Sequence, residues 1–238
     1  MQPDHIAADI AAIDIWTWAL DADASEVAIY RELLSDDEVA RATRFVHEHD
    51  RCRFIVARGR LRQILATYSG LDPRDLCFDY NAYGKPRIGG RHDLALHFNL
   101  SHSADLAVLA VSPRYEIGID IEEKKALQED IAAHFFSPKE RASLRLVAPE
   151  NYLEHFYRCW TRKEAFVKAH GAGLSLSLEA FDVTFGEEDP PRLERLEGEP
   201  EASTIWRLLP MQTPPNFAGA VAVQTFGDAV RLRYCTVG

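Results

Sequence analysis

The chain has 238 residues, 47% of them hydrophobic and 27% charged, with a formal net charge of -10. That length and composition suit one large globular unit or two small ones with a sizeable core, and the acidic balance excludes nonspecific nucleic-acid binding, which depends on neutralising phosphates. No apolar run approaches the roughly 20 residues of a membrane span, so no membrane is expected among its partners.

Met1 to His5 lack the basic-then-apolar order of a secretory signal. Cys52, Cys77, Cys159 and Cys235 stand far apart without a C-x-x-C, so neither a disulfide framework nor a zinc ribbon is indicated, and a cytoplasmic protein is expected. Ile10 to Leu20 is apolar and β-prone enough for an opening strand. Ser35-Asp-Asp-Glu38 has the spacing of a capping box, in which hydroxyl and carboxylate satisfy each other's free backbone donors. A helical region then runs towards Tyr68 with a break near His47 to Asp50, and Gly70 and Pro73 stop it. It holds Arg41, Arg44, Arg51, Arg53, Arg58, Arg60 and Arg62, the local cations that an anionic substrate of an acidic chain would need. His47, His49 and Cys52 read as exposed helical residues rather than metal ligands. Leu76, Phe78 and Tyr80 alternate as a strand, and Tyr83-Gly-Lys-Pro86 reads as a turn that displays Lys85.

Leu94 to Leu100 and Leu106 to Ser112 read as a hairpin whose polar tip is Ser101-His-Ser-Ala-Asp105. Ser101 beside His102 does not make a serine hydrolase, because adjacent residues rarely orient as nucleophile and base and no G-x-S-x-G elbow is present. Ordinary turn chemistry and donors offered to a phosphate or a base are the two readings that remain. In the next strand, Ile117 to Glu122, alternation sends Ile119 and Ile121 into a core and projects Asp120 and Glu122 together, with Cα atoms roughly 6.5 to 7 Å apart. Ser137-Pro-Lys-Glu140 is a second capping box, with Pro138 at the first helical position.

A long helix from about Asn151 to Ala169 ends at Gly171 and Gly173. At about 100° per residue, Leu153, Phe156, Tyr157, Trp160 and Val167 form an apolar stripe with Glu164 in its centre. A carboxylate facing a core is costly unless it is paired or bound to metal. Glu164 therefore either pairs with Lys168 at i+4, or with an arginine, or shares a cation with Asp120 and Glu122. Three carboxylates without a His or Cys cluster suit magnesium rather than zinc. Glu140 is explained by its cap alone, and a helix N-terminus beside a metal site would also suit a general base; both readings stand. Ala180 to Phe185, Thr204 to Leu209, Ala218 to Thr225 and Val230 to Val237 are strand-like, and Asp189 to Glu201 reads as an exposed connection.

Several pieces recur. Ile13-Asp-Ile15 matches Ile119-Asp-Ile121, Ser35 matches Ser137, Arg51-Cys52 matches Arg158-Cys159 and Phe78-Asp79 matches Phe181-Asp182, in one order and at a nearly constant offset of roughly 100 residues. The fold expected is α+β with two pseudo-symmetric halves, and the natural place for a site is the interface between them.

Four stretches, Tyr83-Gly-Lys-Pro86, His97-Phe-Asn-Leu-Ser-His-Ser103, Ile117-Gly-Ile-Asp-Ile-Glu122 and Trp160-Thr-Arg-Lys-Glu-Ala-Phe-Val-Lys168, stand in an order and at separations that resemble the phosphopantetheinyl transferases of the single-chain, surfactin-synthetase-activating type. The resemblance runs from Phe45 to Val183. It implies that family's fold, with residues 1–115 binding coenzyme A and residues 116–238 binding magnesium and carrying the chemistry. It further implies a monomer that moves the phosphopantetheine arm of coenzyme A to a serine of an apo acyl or peptidyl carrier protein, releasing adenosine 3',5'-bisphosphate, with magnesium or manganese as cofactor. By position, Asp120, Glu122 and Glu164 are the implied metal ligands, Lys168 the residue that steadies the diphosphate, and Glu140 the base for the carrier serine. Lys85, Pro86, Ser101 and His102 match nucleotide contacts, with Arg41 or Arg44 joining His102 at the 3'-phosphate and Arg53 near the adenosine. Glu38 departs from the pattern, standing where relatives often carry a basic residue. Because carrier proteins are themselves acidic, docking is expected through an apolar patch rimmed by a few arginines and lysines. Two other readings make different expectations: a coenzyme A pyrophosphatase or another magnesium-dependent phosphotransferase would turn over without a carrier, and a silent carrier-binding module would need neither Asp120 nor Glu164.

Overall fold

The computed structural model describes residues 10–90, 94–127 and 129–236; Met1 to His5, and Val237 at the end of the last strand-like run, lie outside the described residues. In chain order these form β1 (Ala11–Ala19), α1 (Ala24–Arg31), α2 (Asp36–Ala42), α3 (Glu48–Ser69), β2 (Phe78–Tyr80), β3 (Pro86–Ile88), β4 (His97–Ser103) and β5 (Leu106–Ser112). There follow β6 (Ile117–Glu123), α4 (Ile131–Phe135), α5 (Pro138–Leu144), α6 (Tyr152–His170), β7 (Phe181–Val183), β8 (Leu193–Leu196), α7 (Ala202–Ile205), β9 (Trp206–Pro210), β10 (Phe217–Gln224) and β11 (Val230–Cys235).

The second series repeats the first. Each half opens with a strand, passes through two short helices and one long one, makes a small hairpin (β2–β3, β7–β8) and closes with two strands. Antiparallel order β1-β5-β4 in the first half reappears as β6-β10-β9 in the second. Both isoleucines of Ile13-Asp-Ile15 and of Ile119-Asp-Ile121 enter one shared core with Val108 and Val221, which joins the two sheets. The α+β duplication legible in short sequence matches is therefore a duplication of topology. One strand breaks it: β11 returns to the first sheet and pairs parallel with β1, Ala11 opposite Val230, so a cut at residue 115 would not leave two self-contained sheets.

The two capping boxes bury their glutamates in matching ion pairs. Glu38 accepts from the Ser35 backbone N–H at 3.1 Å and from Arg62 Nε at 2.7 Å, with Arg58 on its other oxygen. Burial raises the Glu38 carboxyl, but the two guanidiniums prevail and hold it below the usual range. Glu140 of α5 meets Lys163 of α6 in the same way, at 2.7 and 2.8 Å. Arg62 and Lys163 hold equivalent places, each counted back from a glycine, Gly70 or Gly171, that closes its long helix in the left-handed conformation.

Two expectations change here. The helical region breaks at residues 43–47, with His47 as the N-cap of α3, slightly earlier than expected. The polar tip is also shorter: β4 runs to Ser103 and β5 starts at Leu106, so Ser101 and His102 lie within a strand, and only Ala104 and Asp105 turn, Ala104 at a φ of 52°.

Helix α6 can lie on β6 because residue 118 has no side chain. A Cβ there would stand 2.2 Å from the Ala165 carbonyl oxygen and 2.3 Å from the Ala169 nitrogen, both backbone atoms of α6. Gly118→Ala is expected to cost about 3 kcal/mol or more, since a helix rather than a side chain must move. Thermal denaturation should show a fall of about 10 °C in a chain of this size.

Candidate active site

Strand β6 is bonded to β10 along one edge, and among the described residues no strand pairs with the other. Side chains of β4 satisfy that edge instead. Asn99 Oδ1 accepts from Ile119 N at 2.9 Å, Ser101 Oγ from Ile121 N at 3.4 Å and Ser103 Oγ from Glu123 N at 3.1 Å. The period of two along β4 matches the period of donors along β6. Both hydroxyls then donate onward, Ser101 to Asp120 Oδ1 at 3.0 Å and Ser103 to Glu122 Oε2 at 2.8 Å. Asp120 and Glu122 thus face the same way, as alternation requires, and they face the first half of the chain.

From α6 come Glu164 and Lys168. Lys168 Nζ donates to Asp120 Oδ1 at 2.6 Å and to Ser101 Oγ at 2.9 Å, so its ammonium serves the β6 carboxylate rather than Glu164. Asp120 is 2% exposed, and its second oxygen, Oδ2, is buried without a partner. Burial pushes the Glu122 and Glu164 carboxyls above the usual range, and the charge of Asp120 pushes both further. One ammonium, bonded to Asp120, therefore stands beside three acids. Among the described residues no three acidic, histidine or cysteine side chains stand preassembled as a metal cage. The donor set nonetheless fits a hard divalent cation, because an orphaned buried carboxylate oxygen beside two crowded carboxyls is an all-oxygen site short of positive charge.

Against this cluster opens a cleft of about 640 Å³, to which the first half contributes Tyr83, Lys85 and Pro86 and the second Glu164, Lys168 and Leu176. Lys85 is not displayed on its turn as expected; its ammonium is drawn in to Glu116 and to the Ala169 carbonyl oxygen. His102, on the opposite face of β4 from Ser101, is held below its ordinary value by desolvation first and then by the positive charges of Lys168 and Arg41. Arg41 and Arg44 line a shallow depression with Phe45. Arg53 bonds Asp21 and the Ala104 carbonyl oxygen, where it holds the β4–β5 turn.

Family models match both halves: one described as 4'-phosphopantetheinyl transferase, N-terminal, over residues 17–114, and one described as 4'-phosphopantetheinyl transferase superfamily over residues 116–222. The 4'-phosphopantetheinyl transferase HetI of Nostoc is 38% identical over 90% of this chain and 89% of its own length. The chain belongs to the 4'-phosphopantetheinyl transferase superfamily. A 4'-phosphopantetheinyl transferase of Bacillus subtilis is 34% identical over 82% of this chain and 89% of its own length, and the Sfp transferase of Bacillus subtilis is 33% identical over 69% and 72%.

In this transferase Glu140 lies inside the fold. It is 2% exposed. Besides Lys163, its oxygens accept from the backbone N–H groups of Val183 and Ser137, each at 2.9 Å. Both oxygens are thereby engaged, which supports the cap over the general-base reading. The first half offers a parallel: Glu38 of α2 and Arg62 of α3 make an equivalent buried pair. The Glu38 departure is explained by that pair, which also withdraws Arg58 and Arg62 from any phosphate. Lys163 is the residue that sequence reasoning passed over. Its signal was present, since it follows the apolar stripe beside Glu164 and repeats the place of Arg62.

Proposed function

We propose that this transferase moves the 4'-phosphopantetheine arm of coenzyme A to a serine of an apo acyl or peptidyl carrier protein and releases adenosine 3',5'-bisphosphate. The observation that carries the reading is the buried, unpartnered Oδ2 of Asp120, whose other oxygen is bonded by Lys168, a residue that lines the cleft together with Glu164 and Lys85. Asp120, Glu122 and Glu164 would hold magnesium or manganese, which when bound neutralises phosphate charge and orients oxygen ligands.

The chain's own residues do the rest. Lys168, whose ammonium already lies at Asp120, donates to the diphosphate as charge builds on the leaving side. Lys85 and Pro86 wall the nucleotide end, and Ser101 fixes the rotamer of Asp120. His102 with Arg41 and Arg44 meets the 3'-phosphate. With Glu140 sealed, Glu164 is the carboxylate that lines the cleft, and it takes the proton of the carrier serine. In this reading residues 1–115 with β11 hold the nucleotide, and the remainder of residues 116–238 holds the metal. The reading takes the protein as a cytoplasmic monomer; its four cysteines are free, and no helix among the described residues is long and apolar enough to cross a membrane. The carrier docks on the apolar lip where Phe135, 45% exposed, stands beside Leu176 and Leu178.

Intact-mass analysis of an apo carrier protein incubated with this protein, coenzyme A and magnesium tests the reading. The expected result is a gain of one phosphopantetheine arm, lost when magnesium is omitted. Coenzyme A consumed with no gain on any carrier would overturn it in favour of a hydrolase.

A further inference from the structure

Lys85 is held from several sides. Asn81 Oδ1 accepts from the backbone N–H groups of Tyr83 and Lys85, each at 2.9 Å, while Asn81 Nδ2 donates to the Gly171 carbonyl oxygen at 3.0 Å, so the turn is docked on the end of α6. Beyond the turn, Lys85 Nζ donates to Glu116 Oε2 at 2.7 Å and to the Ala169 carbonyl oxygen at 3.1 Å. The other oxygen of Glu116 meets His97 Nδ1 at 3.0 Å. Glu116 immediately precedes β6 and His97 opens β4, the two strands that carry Asp120 and Ser101. An ammonium has three donors; two are committed, and the lysine still lines the cleft.

We propose that Glu116, steadied by His97, is a positioning residue that fixes the Lys85 ammonium so that its remaining donor faces the anionic end of the molecule in the cleft. This rests on the reading that coenzyme A occupies that cleft. A lysine is a point charge on a flexible stem, and ordering it before the ligand arrives removes an entropic cost from binding. Glu116 is suited to the task because it stays ionised: its bond to His97, and then Lys85, holds the carboxyl at about 2. Nothing in the matched motif stretches marks it, since it lies one residue ahead of Ile117.

The test is calorimetric titration of coenzyme A into the full chain with magnesium, paired with steady-state transfer to an apo carrier. Glu116→Ala is expected to weaken coenzyme A binding about tenfold, the scale of one hydrogen bond to a charged group, with the loss falling on KM more than on kcat. Glu116→Gln, which keeps one acceptor and the shape, is expected to lose less. On a Lys85→Ala background the Glu116→Ala change is expected to add nothing. Binding that is unchanged or tighter in Glu116→Ala would overturn the proposal, the tighter case marking Glu116 as a competitor for the lysine. So would an equal loss with and without Lys85, or matched losses in kcat and melting temperature, which mark a structural role. Wild-type protein that binds no coenzyme A would overturn the cleft reading together with the inference, whereas normal wild-type binding with an indifferent Glu116→Ala overturns the inference alone.

Discussion

Asp120→Asn lowers transfer to an apo carrier by about a hundredfold or more at saturating magnesium, with the fold intact. Asparagine keeps the shape and keeps an oxygen where Ser101 and Lys168 donate to Oδ1. What it replaces is Oδ2, the atom that the protein leaves buried without a partner. An amide nitrogen there cannot ligate a cation. The substitution also removes a negative charge that raises the Glu122 and Glu164 carboxyls, so both should fall toward their ordinary values. A carboxyl whose folded pKa is raised binds its proton more tightly in the folded state. In wild-type protein without metal, the pair therefore costs stability as pH rises through the window between the unfolded and the raised folded values, and Asp120→Asn should flatten that slope.

Magnesium supplies the direct readout. A ligand that binds only the folded state raises the melting temperature with its concentration. Wild-type protein should gain stability on adding magnesium, and Asp120→Asn should gain none. A variant that lost activity yet still gained stability from magnesium would place the cation elsewhere.

How far the sequence reached depended on whether a feature was set by neighbours along the chain. The shared facing of Asp120 and Glu122 follows from strand alternation, and the capping boxes follow from a four-residue spacing; both were legible. The hydrogen bonds across the seam between the halves were not. Ser101 and Ser103 looked like turn residues because polar side chains are unusual in a buried strand, and only the unpaired edge of β6 gives them a reason to be there. Strand β11 was legible as a strand, but its return to β1 is a choice between sheet edges that no local pattern encodes. Glu140 shows the limit most clearly, because its capping role was plain while its partner Lys163 lay 23 residues away on another helix.

Glu140→Ala should therefore act on stability before it acts on chemistry. Removing one member of a buried pair strands the other charge, at about 3–5 kcal/mol. Here Lys163, fully buried, would keep the carbonyl oxygen and the ring of Phe181 but no counter-charge from Glu140, and the N–H groups of Ser137 and Val183 would lose their acceptor. A melting temperature lower by about 10 °C is expected. Glu38→Ala, in the half without the acidic cluster, should cost a similar amount, because Arg62 is stranded in the same way. The decisive comparison is the double variant Glu140→Leu with Lys163→Met, in which no buried charge remains. If Glu140 serves only the fold, the double variant should be more stable than Glu140→Ala and should transfer the phosphopantetheine arm at a rate near wild type, measured below its melting temperature. A base cannot be replaced by leucine, so a folded double variant without transfer would return the proton to Glu140.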